Sequence, residues 1–147
     1  KWRDPVVEGR KMKVYAVIDT NVIVSSILSS HSDSATVLVR DNILDGKLIP
    51  MFNEEILAEY KDVLNRPKFK FPSTLVKAVL DAITSVGLYM DRTDSGEFFP
   101  DPKDAVFYEV ALSKEDSYLV TGNTKHFPKS PIVVTPAEML EILVKSE

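Results

Sequence analysis

The stretch Val14-Tyr15-Ala16-Val17-Ile18-Asp19-Thr20-Asn21-Val22 decides the fold of this chain. Five hydrophobic residues run together without polar alternation, which marks a strand covered on both faces, as in a parallel sheet. Asp19 to Asn21 closes the strand, and Val22 to Leu28 starts a helix packed against the sheet. Strand, polar turn and helix in immediate succession open a βα unit.

The same alternation continues outward. A second helix is expected over Ser34 to Asp45, with Asp33 as N-cap and Gly46 as terminator. Lys47 to Phe52 reads as a short strand, and Asn53 caps a helix through Leu64 that Pro67 keeps from extending. Pro72 opens a helix to about Val86, stopped at Gly87, followed by a weak strand over Leu88 to Asp91 and a polar loop holding Ser95, Gly96 and Pro100. Asp101 and Pro102 have the form of N-cap and first helical residue for a helix to about Lys114. Ser117 to Thr121 and Ile132 to Val134 are strands, and Thr135, Pro136 and Glu138 begin a closing helix with a capping box. The pattern predicts a three-layer α/β/α sandwich with a central, mostly parallel sheet of about five strands and six helices.

A chain of 147 residues suits one domain, and no repeat, linker or low-complexity tract divides it. Residues Lys1 to Lys11 are polar and precede Met12, which reads as the natural start; residues 1–11 are taken as an upstream extension and 12–147 as the domain. The absence of Cys excludes thiolate metal sites, disulfides and cysteine nucleophiles, and fits a reducing compartment. No apolar run reaches the roughly 20 residues that span a bilayer, so no membrane association is expected and the protein reads as cytoplasmic. A net charge of -4 argues against holding nucleic acid mainly through a broad basic surface. It leaves room for a carboxylate site whose charge divalent cations neutralise before a phosphate arrives.

In open α/β sheets, functional groups collect at the carboxyl ends of strands. Asp19 leaves the buried first strand at that edge, where it suits an N-cap and a ligand equally. Asp104 shares a helix face with Phe107, Tyr108 and Ala111; it either serves chemistry or satisfies the first-turn amides of its helix. Asp101, before Pro102, reads first as a cap and second as a metal contact. Glu59 lies about 40° from Val63 on the helical wheel, at the margin of the stripe formed by Ile56, Leu57, Tyr60, Val63 and Leu64. Taken alone it is better read as an exposed, salt-bridging residue.

Together these residues form an ordered series of motifs. Val17-Ile18-Asp19-Thr20-Asn21-Val22 resembles the first motif of PIN-domain proteins, and Glu55 to Leu64, with Glu59 in the acidic position, resembles the second. Asp101-Pro102-Lys103-Asp104 before Val106, Phe107 and Ala111 is similar to the third, Tyr118 to Asn123 to the fourth, and Ile132 to Glu138 follows the same order. The likeness covers Met12 to Leu143 and is strongest to toxin components of toxin–antitoxin pairs.

The resemblance implies a metal-dependent endoribonuclease in which Asp19, Glu59 and Asp104, with Asp101 as a further candidate, hold Mg²⁺ or Mn²⁺. The metal would activate a water against an RNA phosphodiester. Thr20, Asn21 and Thr121 would be supporting groups, and the partners implied are single-stranded RNA, a cognate antitoxin and a second copy in a homodimer. Many members carry Asp where this chain has Asn123, which supplies an oxygen but no charge. Lys125, His126 and Lys129, and Arg66, Lys68 and Lys70, suit phosphate contacts, with solvated surface as the plainer reading of each. His126 followed by Phe127 also suits stacking on an unpaired base. Two other readings compete. A PIN domain that binds RNA or protein without catalysis fits Asn123 and the acidic charge. A receiver-like phosphoacceptor fits an Asp ending a strand, but Val17 and Ile18 stand where its adjacent acidic pair would be.

Overall fold

The computed structural model describes residues 13–147, so the expected extension over residues 1–11 and the expected start at Met12 lie outside the described residues. The elements are β1 (Val14–Ile18), α1 (Thr20–Leu28), α2 (Ala35–Leu44), β2 (Leu48–Phe52), α3 (Glu54–Leu64), α4 (Ser73–Val86), β3 (Leu88–Tyr89), α5 (Pro102–Leu112), β4 (Ser117–Val120), β5 (Val133–Val134) and α6 (Pro136–Lys145). Single 3-10 turns cover Pro67–Phe69 and Thr124–His126.

The five strands form one sheet in the order β3-β2-β1-β4-β5, parallel at every pairing. β1 is central, which is why Val14, Ala16, Val17 and Ile18 are all buried. Connections run outward from β1 through β2 to β3, then return across the sheet to β4 and β5. Since such crossovers are right-handed, the reversal carries α5 to the face opposite α1 and α2. α5 packs on β1 and β4, while α2 packs on β2, α1 and α6. The reversal leaves a crevice at the carboxyl ends of β1 and β4, where such sheets place their sites.

Tyr60, Leu48, Met51, Ile56, Leu64, Leu119 and Met139 are the largest fully buried side chains. At about 1.5–3 kcal/mol for each large apolar side chain buried, this core supplies most of the drive to fold. Asn53 caps α3 by accepting the Ile56 N–H at 2.8 Å, and Thr135 with Glu138 completes the expected capping box on α6. Gly46, at φ +79°, ends α2.

Several boundaries differ from expectation. The N-cap of α2 is Ser34, not Asp33, because the Ser34 N–H closes a turn onto the His31 carbonyl and its own carbonyl accepts the first helical bond, from Leu38. α1 begins two residues earlier than Val22, directly after Asp19, and α5 ends at Leu112 rather than near Lys114. The weak strand over Leu88 to Asp91 shortens to Leu88–Tyr89. β3 ends there because its partner ends: β2 stops at Phe52, Asn53 turns the chain into α3, and the Met90 N–H bonds to the Phe52 carbonyl as the last contact of the pair. Pro50, which lacks an N–H, lies before the paired residues of β3 and has a single strand neighbour, Ala16 of β1.

Candidate active site

Asp19 emerges from β1 into the crevice and is 9% exposed. One carboxylate oxygen accepts the Thr20 N–H at 2.8 Å; the other accepts the Thr121 hydroxyl at 2.7 Å and the Asn21 side-chain amide at 3.3 Å. Asn21 in turn accepts the Gly122 N–H at 3.1 Å, and the Thr121 hydroxyl accepts the Asn123 N–H at 3.0 Å. The ends of β1 and β4 are thereby latched crosswise, with Thr20, Asn21 and Thr121 each bonded to the Asp19 carboxylate. Burial pushes the Asp19 carboxyl above its ordinary range; the Thr121 and Thr20 bonds oppose the rise, and the Glu59 charge adds to it.

Asp104 lies in the first turn of α5. Burial pushes its carboxyl up to about 6, reinforced by the like charges of Asp19, Asp101 and Glu59 and opposed by His126. His126 Nδ1 lies 3.8 Å from Asp104 Oδ2. Acids drawn from β1, α3 and α5 therefore repel one another in a shared field, which costs stability unless a cation or proton joins them.

Asp101 accepts the Lys103 N–H at 3.0 Å and caps α5, as its place before Pro102 predicts. Glu59 has a side chain only 20% exposed, yet its nearest charged partner is Lys103, with Nζ 3.6 Å from Oε1. It lines a hollow between α3 and α5 with Lys103, Val106 and Phe107. The Asn123 amide lies 3.0 Å from His126 Nε2, which ties both residues to the rim. Lys125 and Lys129 instead line a neighbouring hollow with Phe127 and Glu138, and neither pairs with an acid of the cluster among the described residues.

The donor set is oxygen throughout, and the hydroxyl of Thr20, next to Asp19, is buried without a hydrogen-bond partner among the described residues. No three His, Asp or Glu side chains among the described residues converge on one point. Oxygen donors of this kind are the ones hard divalent cations take, and such a cation retains several waters and needs only one or two carboxylates directly.

Three important residues escape sequence reasoning. The Tyr60 hydroxyl, fully buried on α3, donates to the Ile18 carbonyl, fastening α3 to the strand that carries Asp19. Glu109, buried in α5, accepts from Arg92 (2.7 and 2.9 Å) and from both the N–H and hydroxyl of Ser95 (3.0 and 2.9 Å), while Arg92 also reaches Glu55 on α3. A lone charge inside the run Val106 to Ala111 is the signal that could have exposed Glu109. For Arg92 and for the hydroxyl bond of Tyr60 there is no sequence signal, because their partners are remote in sequence.

Fold and crevice together define a doubly wound parallel α/β protein whose acidic groups gather at the switch point of its sheet. The family model described as PIN domain matches residues 15–125, from β1 into the turn after β4, and the chain belongs to that family. PIN domains are generally nucleases. Comparison with curated proteins finds no match.

Proposed function

We propose that this PIN domain is a Mg²⁺- or Mn²⁺-dependent endoribonuclease with Asp19, Glu59 and Asp104 as its acidic residues. The observation that carries the reading is the placement of Asp19, held by Thr20, Asn21 and Thr121, in one electrostatic neighbourhood with Asp104, whose carboxyl is raised by burial and then by the Asp19 charge. A bound divalent ion would supply charge neutralisation, a nucleophilic water and stabilisation of the displaced oxygens. Asp19, held rigid by Thr121, Thr20 and Asn21, and Asp104, held by the first turn of α5, are the groups that would hold it. Glu59 would join by leaving Lys103, whose own side chain is exposed and 3.6 Å away. His126, beside Asp104 and braced by Asn123, would contact a phosphate at the rim.

The resemblance to toxin components supports a finer assignment: a cytoplasmic toxin restrained by a cognate antitoxin, working on single-stranded RNA as a homodimer. Among the described residues no helix is long and apolar enough to cross a membrane. A second reading, a PIN domain that binds RNA or protein without cutting, is favoured by Asn123 and by the lack of convergence of three acids on one point among the described residues.

The test is cleavage of a labelled single-stranded RNA by purified protein with Mg²⁺ or Mn²⁺, compared with chelator. Cleavage should need the metal and should fall at least about 100-fold in Asp19→Asn and in Asp104→Asn, the loss expected when an electrostatic element of a site is removed. Undiminished cleavage in both variants would overturn the site; metal-independent binding with no cleavage would favour the second reading.

A further inference from the structure

A groove of about 570 Å³ opens from the same edge of the molecule, away from α5. Thr20, Asn21, Val24, Val63 and Phe69 are among its lining residues. It therefore connects two residues of the candidate active site with the turn Arg66-Pro67-Lys68-Phe69-Lys70-Phe71.

Three cations and two aromatic rings alternate in those six residues. The turn is shaped by the Phe69 N–H bonding to the Arg66 carbonyl, the Lys70 N–H bonding to the Pro67 carbonyl, and Lys70 in the left-handed region at φ 56°. Phe69 and Phe71 stack nearly parallel, with centroids 5.3 Å apart, and Lys68 Nζ lies 5.1 Å from the Phe69 ring centroid. Arg66 pairs with Asp62 at 3.5 Å, whereas Lys68 and Lys70 are exposed and form no ion pair among the described residues. An exposed cation–π contact is weak enough for Lys68 to leave it for a phosphate.

Thr20 is 7% exposed and its hydroxyl is buried without a partner among the described residues. An unsatisfied buried hydroxyl is costly, and a change of rotamer that turns it into the groove would let a ligand's hydrogen-bonding group relieve the cost. An apolar groove with an aromatic ring, one unmet hydroxyl and flanking lysines matches a splayed nucleotide. A duplex, whose bases are stacked inside, cannot present one.

We propose that this groove is a subsite for single-stranded RNA: one unpaired nucleotide lies between Thr20 and Phe69, and Lys68 and Lys70 hold the phosphates beside it. The proposal rests on the ribonuclease reading for its substrate class. It extends that reading to a binding surface outside the acidic cluster.

The experiment measures fluorescence anisotropy of a labelled single-stranded RNA dodecamer of mixed sequence, with EDTA present so that binding is read without cleavage, across a series of salt concentrations. The proteins compared are the full chain, Lys68→Ala/Lys70→Ala, Phe69→Ala and Phe69→Trp. Loss of two phosphate contacts should flatten the slope of log affinity against log salt by about 1.4, since each contact to a single strand contributes about 0.7. Phe69→Ala should weaken binding roughly tenfold and Phe69→Trp should restore it, as base stacking is tolerant of which aromatic supplies the face. The lysines are on the surface, so their variant tests the idea even if Phe69→Ala folds poorly. An unchanged salt slope, or equal weakening by Phe69→Ala and Phe69→Trp, would overturn the subsite. Wild-type protein that binds in the expected way but cuts nothing with Mg²⁺ or Mn²⁺ would count against the nuclease and leave the subsite standing. Normal cutting with variants that bind like wild type would do the reverse.

Discussion

Asp104 shows how a single side chain can oppose the stability of its own fold. Burial and the charges of Asp19, Asp101 and Glu59 raise its carboxyl to about 6, so the folded protein holds a proton that the unfolded chain has released. A raised acid favours the fold at pH below its ordinary value near 4, and that contribution is lost as pH climbs to about 6. At neutral pH the ionised Asp104 is therefore a net cost. Asp104→Asn should raise the thermal midpoint at pH 7 by roughly 2–4 °C, corresponding to about 1 kcal/mol in a domain of this size, while abolishing cleavage. A scanning calorimetry trace with a lower midpoint for the variant would remove the like-charge account. Asp19 and Asp104 were legible in the sequence because each sits at an element boundary that the local pattern marks. Glu59 was legible only through resemblance, since its helical position alone describes an ordinary boundary residue.

Among the elements, α5 carries the most dependent features. Its first turn presents Asp104, its cap is Asp101, and its middle is clamped by Glu109 to Arg92 and Ser95 in the preceding loop. Burial alone would raise the Glu109 carboxyl, but the bonds from Ser95 and Arg92 outweigh it and hold the carboxyl below its ordinary range. A lowered acid contributes stability that is present above its ordinary value near 4.5 and lost as pH falls through the folded value. Glu109→Gln should thus lower the urea midpoint at pH 7, by an amount equivalent to about 1–3 kcal/mol, with the gap to wild type closing below pH 4. A gap that stays constant from pH 7 to pH 3 would show that the carboxylate charge plays no part. β3 illustrates the opposite dependence, of an element on its surroundings. It starts after Gly87, where an added Cβ would stand 2.5 Å from the Ile83 carbonyl and 2.6 Å from that of Pro50, and it ends where its partner β2 gives way to α3 at Asn53. The reading of a weak strand there was sound, but its end was set by where its partner strand stops, which propensity does not contain.

For the whole molecule, the reversal of strand order at β1 and β4 brings acids from three distant segments into one electrostatic neighbourhood. If a divalent ion completes that neighbourhood, it binds the folded chain in preference to the unfolded one and must stabilise it. At an ion concentration about a hundredfold above the dissociation constant, the gain is about 2.7 kcal/mol. Differential scanning calorimetry with Mn²⁺ should show a rising midpoint in wild type and none in Asp19→Asn/Asp104→Asn. Equal shifts in both proteins would place the ion elsewhere.

By itself the sequence determined the alternating βα class, the caps at Asn53, Asp101 and Thr135, and the identity of Asp19 and Asp104 as the acids worth testing. Periodicity, capping and turn chemistry act over a few neighbouring residues, so they are written locally. Only the tertiary structure decided that Thr121, 102 positions away, holds Asp19, that Lys103 holds Glu59, that Glu109 anchors the loop before α5, and that Thr20 and Phe69 share a groove. These pairings follow from strand order and crossover direction, which bring remote parts of the chain together through packing across the whole sheet rather than through any local preference.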